Sequence, residues 1–256
     1  MAEERQTNYT IAEGYELPSK GLIYDKPVAA HVDLRSMTAR DEMKRLSPST
    51  AHFKILADII EGCMIEKPAI HVYDMALGDY EYLLHKLRVV TYGDEYKVGL
   101  TCPYCGEQIT SSMHLDELEV REFDKEKFEE LRTFTLPKSG HVVSIKFQTP
   151  RMLDEAEGKI REMKRKYKNA DIQFDLLVLL EQVIDSVDGN KLDPSKAESF
   201  INKLPALDMT KIVNNLDALN ACIGLDASFQ VECPSCGGDV PATFRFGPEF
   251  FRPTNI

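Results

Sequence analysis

Apolar positions along this chain follow two periodicities. Val28 to Leu34 and Val142 to Phe147 alternate apolar with polar residues, the pattern of a half-buried strand. Phe53, Ile55, Leu56, Ile59 and Ile60 recur at helical spacing. Ile172, Phe174, Leu176 to Leu180, Val183 and Ile184 do so more densely, which predicts a central helix apolar nearly all round. Asp79, Leu83, Leu84, Leu87 and Val90 show the same steps as Asp208, Ile212, Val213, Leu216 and Leu219. Those steps put the aliphatic residues on one helical face and predict an N-cap aspartate in each case. Gly93 and Gly224 fall at C-cap positions. Strands are then predicted for Tyr96 to Thr101 and Gln108 to Leu115, and for Ser228 to Glu232 and Val240 to Phe246.

Helix starts are legible at Thr38 with Asp41, a capping pair, and at Thr149 followed by Pro150. Leu17-Pro18-Ser19-Lys20-Gly21 is echoed by Leu136-Pro137-Lys138-Ser139-Gly140. Read together, these repeats predict an α+β protein with two duplicated, helix-rich halves, each ending in a β-hairpin. The expected organisation is a flexible tail over residues 1–14, a first repeat over 15–115, an acidic amphipathic connector over 116–130 and a second repeat over 131–256. The second repeat has an additional turn at Ser186 to Lys191 and an additional helix from Pro194 to Leu204.

Composition narrows the function classes. The chain has 256 residues, 43% of them apolar, and a formal net charge of -11. That balance argues against binding nucleic acid through its phosphates, which requires a basic face. The one basic run, Arg161 to Lys168, reads as a solvated helix end that complements the helix dipole. No apolar run reaches the ~20 residues that span a bilayer. Met1 to Gly14 has no signal-peptide core, so the protein is expected to remain in the compartment where it is made. No glycine-rich phosphate loop, Gly-x-Ser-x-Gly elbow or His-Glu-x-x-His motif is present, and a non-enzyme is expected.

The candidate chemistry lies at the hairpin tips. Cys102-Pro103-Tyr104-Cys105-Gly106 and Cys233-Pro234-Ser235-Cys236-Gly237 are two Cys-x-x-Cys knuckles. Together Cys102, Cys105, Cys233 and Cys236 supply the four thiolates of a tetrahedral structural zinc site. One shared Zn2+ is the simplest reading, because each half alone offers two thiolates; two separate sites and thioredoxin-like redox chemistry are the alternatives. His114 could supplement the first knuckle. Cys63 and Cys222 stand alone and read as small buried hydrophobes. The closing aromatic segment around Phe244, Phe246, Phe250 and Phe251 needs a partner surface. It either folds back on the knuckle hairpin, which is preferred, or docks on another subunit.

Several of these segments, in this order, resemble the baseplate hub and hub-assembly proteins of contractile-tailed, T-even-like bacteriophages. The resemblance is carried by Leu17 to Gly21, Asp79 through Arg88 with Gly93, the Cys102 and Cys105 knuckle, and the closing Phe250-Phe251-Arg252-Pro253. It implies a protein of the virion tail baseplate, or one acting in the host cytoplasm during assembly. Its partners would be other phage baseplate and tail proteins, with no small-molecule substrate and no membrane insertion. The rival reading is a zinc-ribbon adaptor of transcription or nucleic-acid machinery.

Overall fold

The computed structural model describes residues 11–167, 174–244, 246 and 248–251. The chain opens with an antiparallel pair, β1 (Ala12–Glu16) against β2 (His31–Arg35). Strand β1 begins inside the segment expected as a tail; residues 1–10 of that segment lie outside the described residues. Helices α1 (Ala39–Arg45), α2 (His52–Cys63) and α3 (Leu77–Tyr92) follow. Then comes the hairpin of β3 (Glu95–Thr101) and β4 (Gln108–His114).

The 116–130 stretch divides between the two halves. Leu118 is buried in the first core, strand β5 (Val120–Arg121) follows, and helix α4 (Lys125–Arg132) is capped by Asp124. Phe123 and Phe128, by contrast, pack against the second core. Leu118, Phe123 and Phe128 therefore have burial partners, while Val120 stays exposed.

The second half is built on a four-stranded antiparallel sheet in the order β6 (Thr133–Thr135), β7 (Val142–Ile145), β8 (Ile184–Val187), β9 (Asn190–Lys191). Helices α5 (Pro150–Lys166) and α6 (Phe174–Val183) lie between β7 and β8. The apolar run expected as this helix starts at Ile172, which lies outside the described residues, and continues one residue past the end of α6. Ile184 leaves the helix to start β8, and only Phe174, Val178, Leu180 and Val183 of α6 are fully buried. The expected turn at Ser186 to Lys191 is the β8–β9 hairpin, with Asp188 and Gly189 both at positive φ, the backbone that a tight right-twisted hairpin requires. Helix α7 (Pro194–Ile201) and helix α8 (Ala206–Asn220) come next. Short strand β10 (Gly224–Leu225) pairs with β5, and the second hairpin, β11 (Ser228–Glu232) with β12 (Asp239–Thr243), follows.

The two aspartates expected as N-caps lie one turn inside their helices and do something else. Helices α3 and α8 start after Ala76 and Pro205, neither with a capping side chain. Asp79 is fully buried and accepts the backbone N–H of Ser19 (3.0 Å), the Ser19 hydroxyl and the Tyr24 hydroxyl (2.5 Å). Asp208, equally buried, accepts the N–H groups of Lys138 (2.7 Å) and Ser139 (2.9 Å). Each aspartate thus holds the Leu-Pro turn of its own half, and satisfied donors make its burial tolerable.

Two features tie the halves together. Gly78 at the start of α3 meets the segment after α8 backbone to backbone. A Cβ on Gly78 would lie 2.6 Å from the Ile223 carbonyl oxygen, and one on Gly224 would lie 2.7 Å from the Gly78 Cα. Asp154 of α5 accepts the N–H groups of Phe53 (3.4 Å) and Lys54 (2.9 Å), capping the α2 terminus that Ala51 cannot cap itself.

The aromatic segment folds back, onto the root of the first hairpin and the first core. Phe244, Phe250 and Phe251 are buried there, with Phe250 and Phe244 both against the Tyr96 ring. Residues 252–256 lie outside the described residues. Cys63 and Cys222 are buried, as their isolation implied, and burial pushes the Cys63 thiol up to about 11.

Candidate metal centre

Both knuckles are built alike. In the first, the Cys102 N–H donates to the Glu107 carbonyl (2.8 Å) and the Gly106 N–H to the Cys102 carbonyl (3.0 Å). In the second, the Cys233 N–H donates to the Gly238 carbonyl (2.9 Å) and the Gly237 N–H to the Cys233 carbonyl (2.8 Å). Gly106 and Gly237 take φ of 78° and 68°, a backbone that a side chain at this turn would strain.

The two tips meet. The four sulfur atoms of Cys102, Cys105, Cys233 and Cys236 all lie within 4.8 Å of one another. Across the hairpins, Cys102 approaches Cys236 and Cys105 approaches Cys233, both at 3.7 Å. A disulfide requires ~2.0 Å. A zinc tetrahedron with Zn–S of ~2.3 Å has an S···S edge of about 3.8 Å. The donor set and its spacing therefore fit a four-thiolate zinc ion. Cys102 and Cys233 are 1% exposed and pack with Ile109 and Val240, while Cys105 and Cys236 face outward. The inner pair is thus fixed by apolar packing and the outer pair by the knuckle turns.

The electrostatics of the cluster are compatible with a bound cation. Burial raises the Cys102 thiol, but the N–H groups of Cys105 and Tyr104 prevail and bring it down to about 7. Cys105 receives the Glu107 N–H, which lowers it, yet burial and the neighbouring sulfurs push it up to about 12. Cys236 is raised as well, against the N–H of Gly238. One thiolate forms readily beside these N–H groups; further thiolates at this spacing need a positive ion to offset their mutual repulsion. Tyr104 lies exposed over Gly238, where a Cβ would come within 2.8 Å of the ring.

All four sequence-predicted ligands converge on one point. His114 does not join them: it sits at the root end of β4, its Nδ1 2.8 Å from Asp94. Both Cys-x-x-Cys motifs lie between strands, not at the strand-to-helix junction of a thioredoxin-like centre.

Sequence reasoning gave no structural role to Arg88. It is fully buried, donating to the carbonyls of Phe250 (3.2 Å), Gly93 (2.5 Å) and Glu95 (3.2 Å), with Tyr96 and Phe250 rings against its guanidinium. The signal was present: Arg88 follows Leu84 by four residues, a charge on the apolar face of α3.

Among the described residues, no helix is long and apolar enough to cross a membrane. No curated protein and no solved structure was found to match the chain. One family model does match, that of the T4 bacteriophage base plate protein, over residues 13–252. The match runs from the first strand through both knuckles to the aromatic segment, and the chain belongs to this family of bacteriophage baseplate proteins.

Proposed function

We propose that the chain is a non-enzymatic hub or wedge component, or hub-assembly factor, of a contractile tail, working through contacts with other baseplate proteins. One structural zinc on Cys102, Cys105, Cys233 and Cys236 holds its two halves closed. The family match supports the baseplate setting. The observation that carries the zinc is the approach of four sulfurs from opposite ends of the chain to tetrahedral spacing. The two halves are read as copies of one unit. Asp79 and Asp208 each hold the third residue of a Leu-Pro turn through its N–H, and each half closes with the same knuckle.

Mass spectrometry of purified virions and of baseplate intermediates from infected cells tests this role. The chain is expected at stoichiometric levels in virions if it is a retained subunit, or in intermediates alone if it is an assembly factor. Its absence from both would overturn the proposal.

A further inference from the structure

Between the two hairpins, whose tips meet at the cysteine cluster, runs a groove of about 530 Å³. At the other end β5 pairs with β10, and the Asp226 N–H donates to the Glu119 carbonyl (2.8 Å). Its two sides are β4 and β11. Each belongs to a two-stranded sheet, so among the described residues no strand pairs with the outer edge of either.

The hydrogen-bond alternation says which groups face the groove. Cys102 donates to Glu107, so the mutually bonded pairs of the first hairpin are those in step with it, Leu100 with Ile109 and Val98 with Ser111. The N–H and C=O of Ser112 then point away from β3. In the second hairpin Cys233 donates to Gly238, which by the same count leaves the N–H and C=O of Gln230 pointing away from β12. Ser112 and Gln230 both line the groove, and Val98 and Val231 supply apolar lining. Two open strand edges thus flank one slot. The carboxylates Glu117, Glu119 and Glu232 line it as well, beside Asp226, which Arg121 already pairs, and among the described residues no basic side chain lines it.

We propose that this slot receives an extended, lysine- or arginine-bearing segment of a partner protein, which pairs by its backbone with β4 and β11. Strand addition to an open edge is a general mode of peptide recognition, with the main chain giving affinity and alternate side chains giving selectivity. Here alternate residues of the guest would bury small apolar groups against Val98 and Val231 and direct cations to the carboxylates. β4 leads away from the knuckles and β11 toward them, so the guest runs parallel to one edge and antiparallel to the other. The slot is roughly 17 Å long at ~3.4 Å per residue of the five-residue β11, enough for a short segment. The inference deepens the reading that the chain works through protein contacts.

The test uses the full-length, isotope-labelled protein and a seven-residue peptide alternating lysine with threonine. Amide shifts are expected at Ser112 and Gln230. Affinity should fall at least about tenfold when the peptide nitrogens facing one edge are methylated, and about as much with Glu119→Lys. Each of four results would overturn the proposal: no binding; equal binding by the glutamate–threonine peptide; equal binding by the methylated peptide; or shifts at these amides that grow with protein concentration alone, which would assign the slot to a second copy. Failure here leaves the virion measurement standing, because the peptide reads the slot and the virion reads the role.

Discussion

Arg88 is a buried cation that forms no ion pair with a carboxylate among the described residues. Three backbone carbonyls and two aromatic faces take the place of a counter-ion, and the planar fork of a guanidinium is what lets one side chain reach all three oxygens. A lysine has the charge but not the fork. Arg88→Lys should therefore lower stability by about 3 kcal/mol in urea unfolding, the result of leaving buried carbonyls unsatisfied. A loss below about 1 kcal/mol would mean that the charge alone matters.

On the same helix, Glu81 is mostly buried, and burial pushes its carboxyl up to about 7 from an ordinary 4.5. Between those values the folded chain holds a proton that the unfolded chain has released, so this group's contribution to stability falls as pH rises through the window and levels off above it. Glu81→Gln should be near neutral at pH 4 and stabilise by up to about 3 kcal/mol at pH 8, read from the pH dependence of the unfolding midpoint. An equal effect at both values would show that the carboxyl titrates normally.

At the scale of elements, the close approach of α3 to the segment before β10 is a backbone contact that only glycine permits. The obstacle to a Cβ on Gly78 is the carbonyl of Ile223, which cannot swing aside as a side chain could. Gly78→Ala should lower stability by about 2–3 kcal/mol. Gly62→Ala in α2 is the control: nothing lies within 4 Å of its Cβ, and the change should be neutral or stabilising by about 0.5–1 kcal/mol. Thermal melts of the two variants separate the cases.

Much of this level was legible beforehand. The strands of both hairpins, the aliphatic face of α3 and α8, and the Thr38 and Thr149 starts all follow from local pattern. What was not legible is long-range. Asp79 and Asp208 look like caps because a polar residue ahead of an aliphatic run usually is one. Their true partners, at Ser19 and at Lys138 and Ser139, lie 60 to 70 residues away. The trans cap from Asp154 has no sequence trace beyond the absence of an acceptor at Ala51, and Ile184 leaves its helix because the sheet beside β7 needs a strand.

At the scale of the whole molecule, the four cysteines stand out from motif alone as a candidate ligand set, since paired knuckles with proline and glycine in place admit few other uses. Their meeting could only be inferred, and the sulfur positions now give it geometry. Purified protein should contain one zinc per chain by elemental analysis. Chelation, or Cys102→Ser, should lower the melting temperature by ~10 °C, the shift that several kcal/mol produces in a chain of this size. Cys63→Ser, remote from the cluster, should leave the zinc content unchanged. An unaltered melting temperature after chelation would remove the metal from the structural account.

The seat of Phe250 and Phe251 against Arg88 and the first core has a consequence for synthesis. Proteins made on the ribosome commonly fold their amino-terminal portion while the rest is still being translated. Here an aromatic ring that completes the early core lies 162 residues after Arg88, and the second pair of sulfurs also follows far behind the first. The nascent chain must leave that core unfinished until Phe250 and Phe251 have emerged, so a ribosome stalled before codon 250 would carry a first core without its aromatic cover.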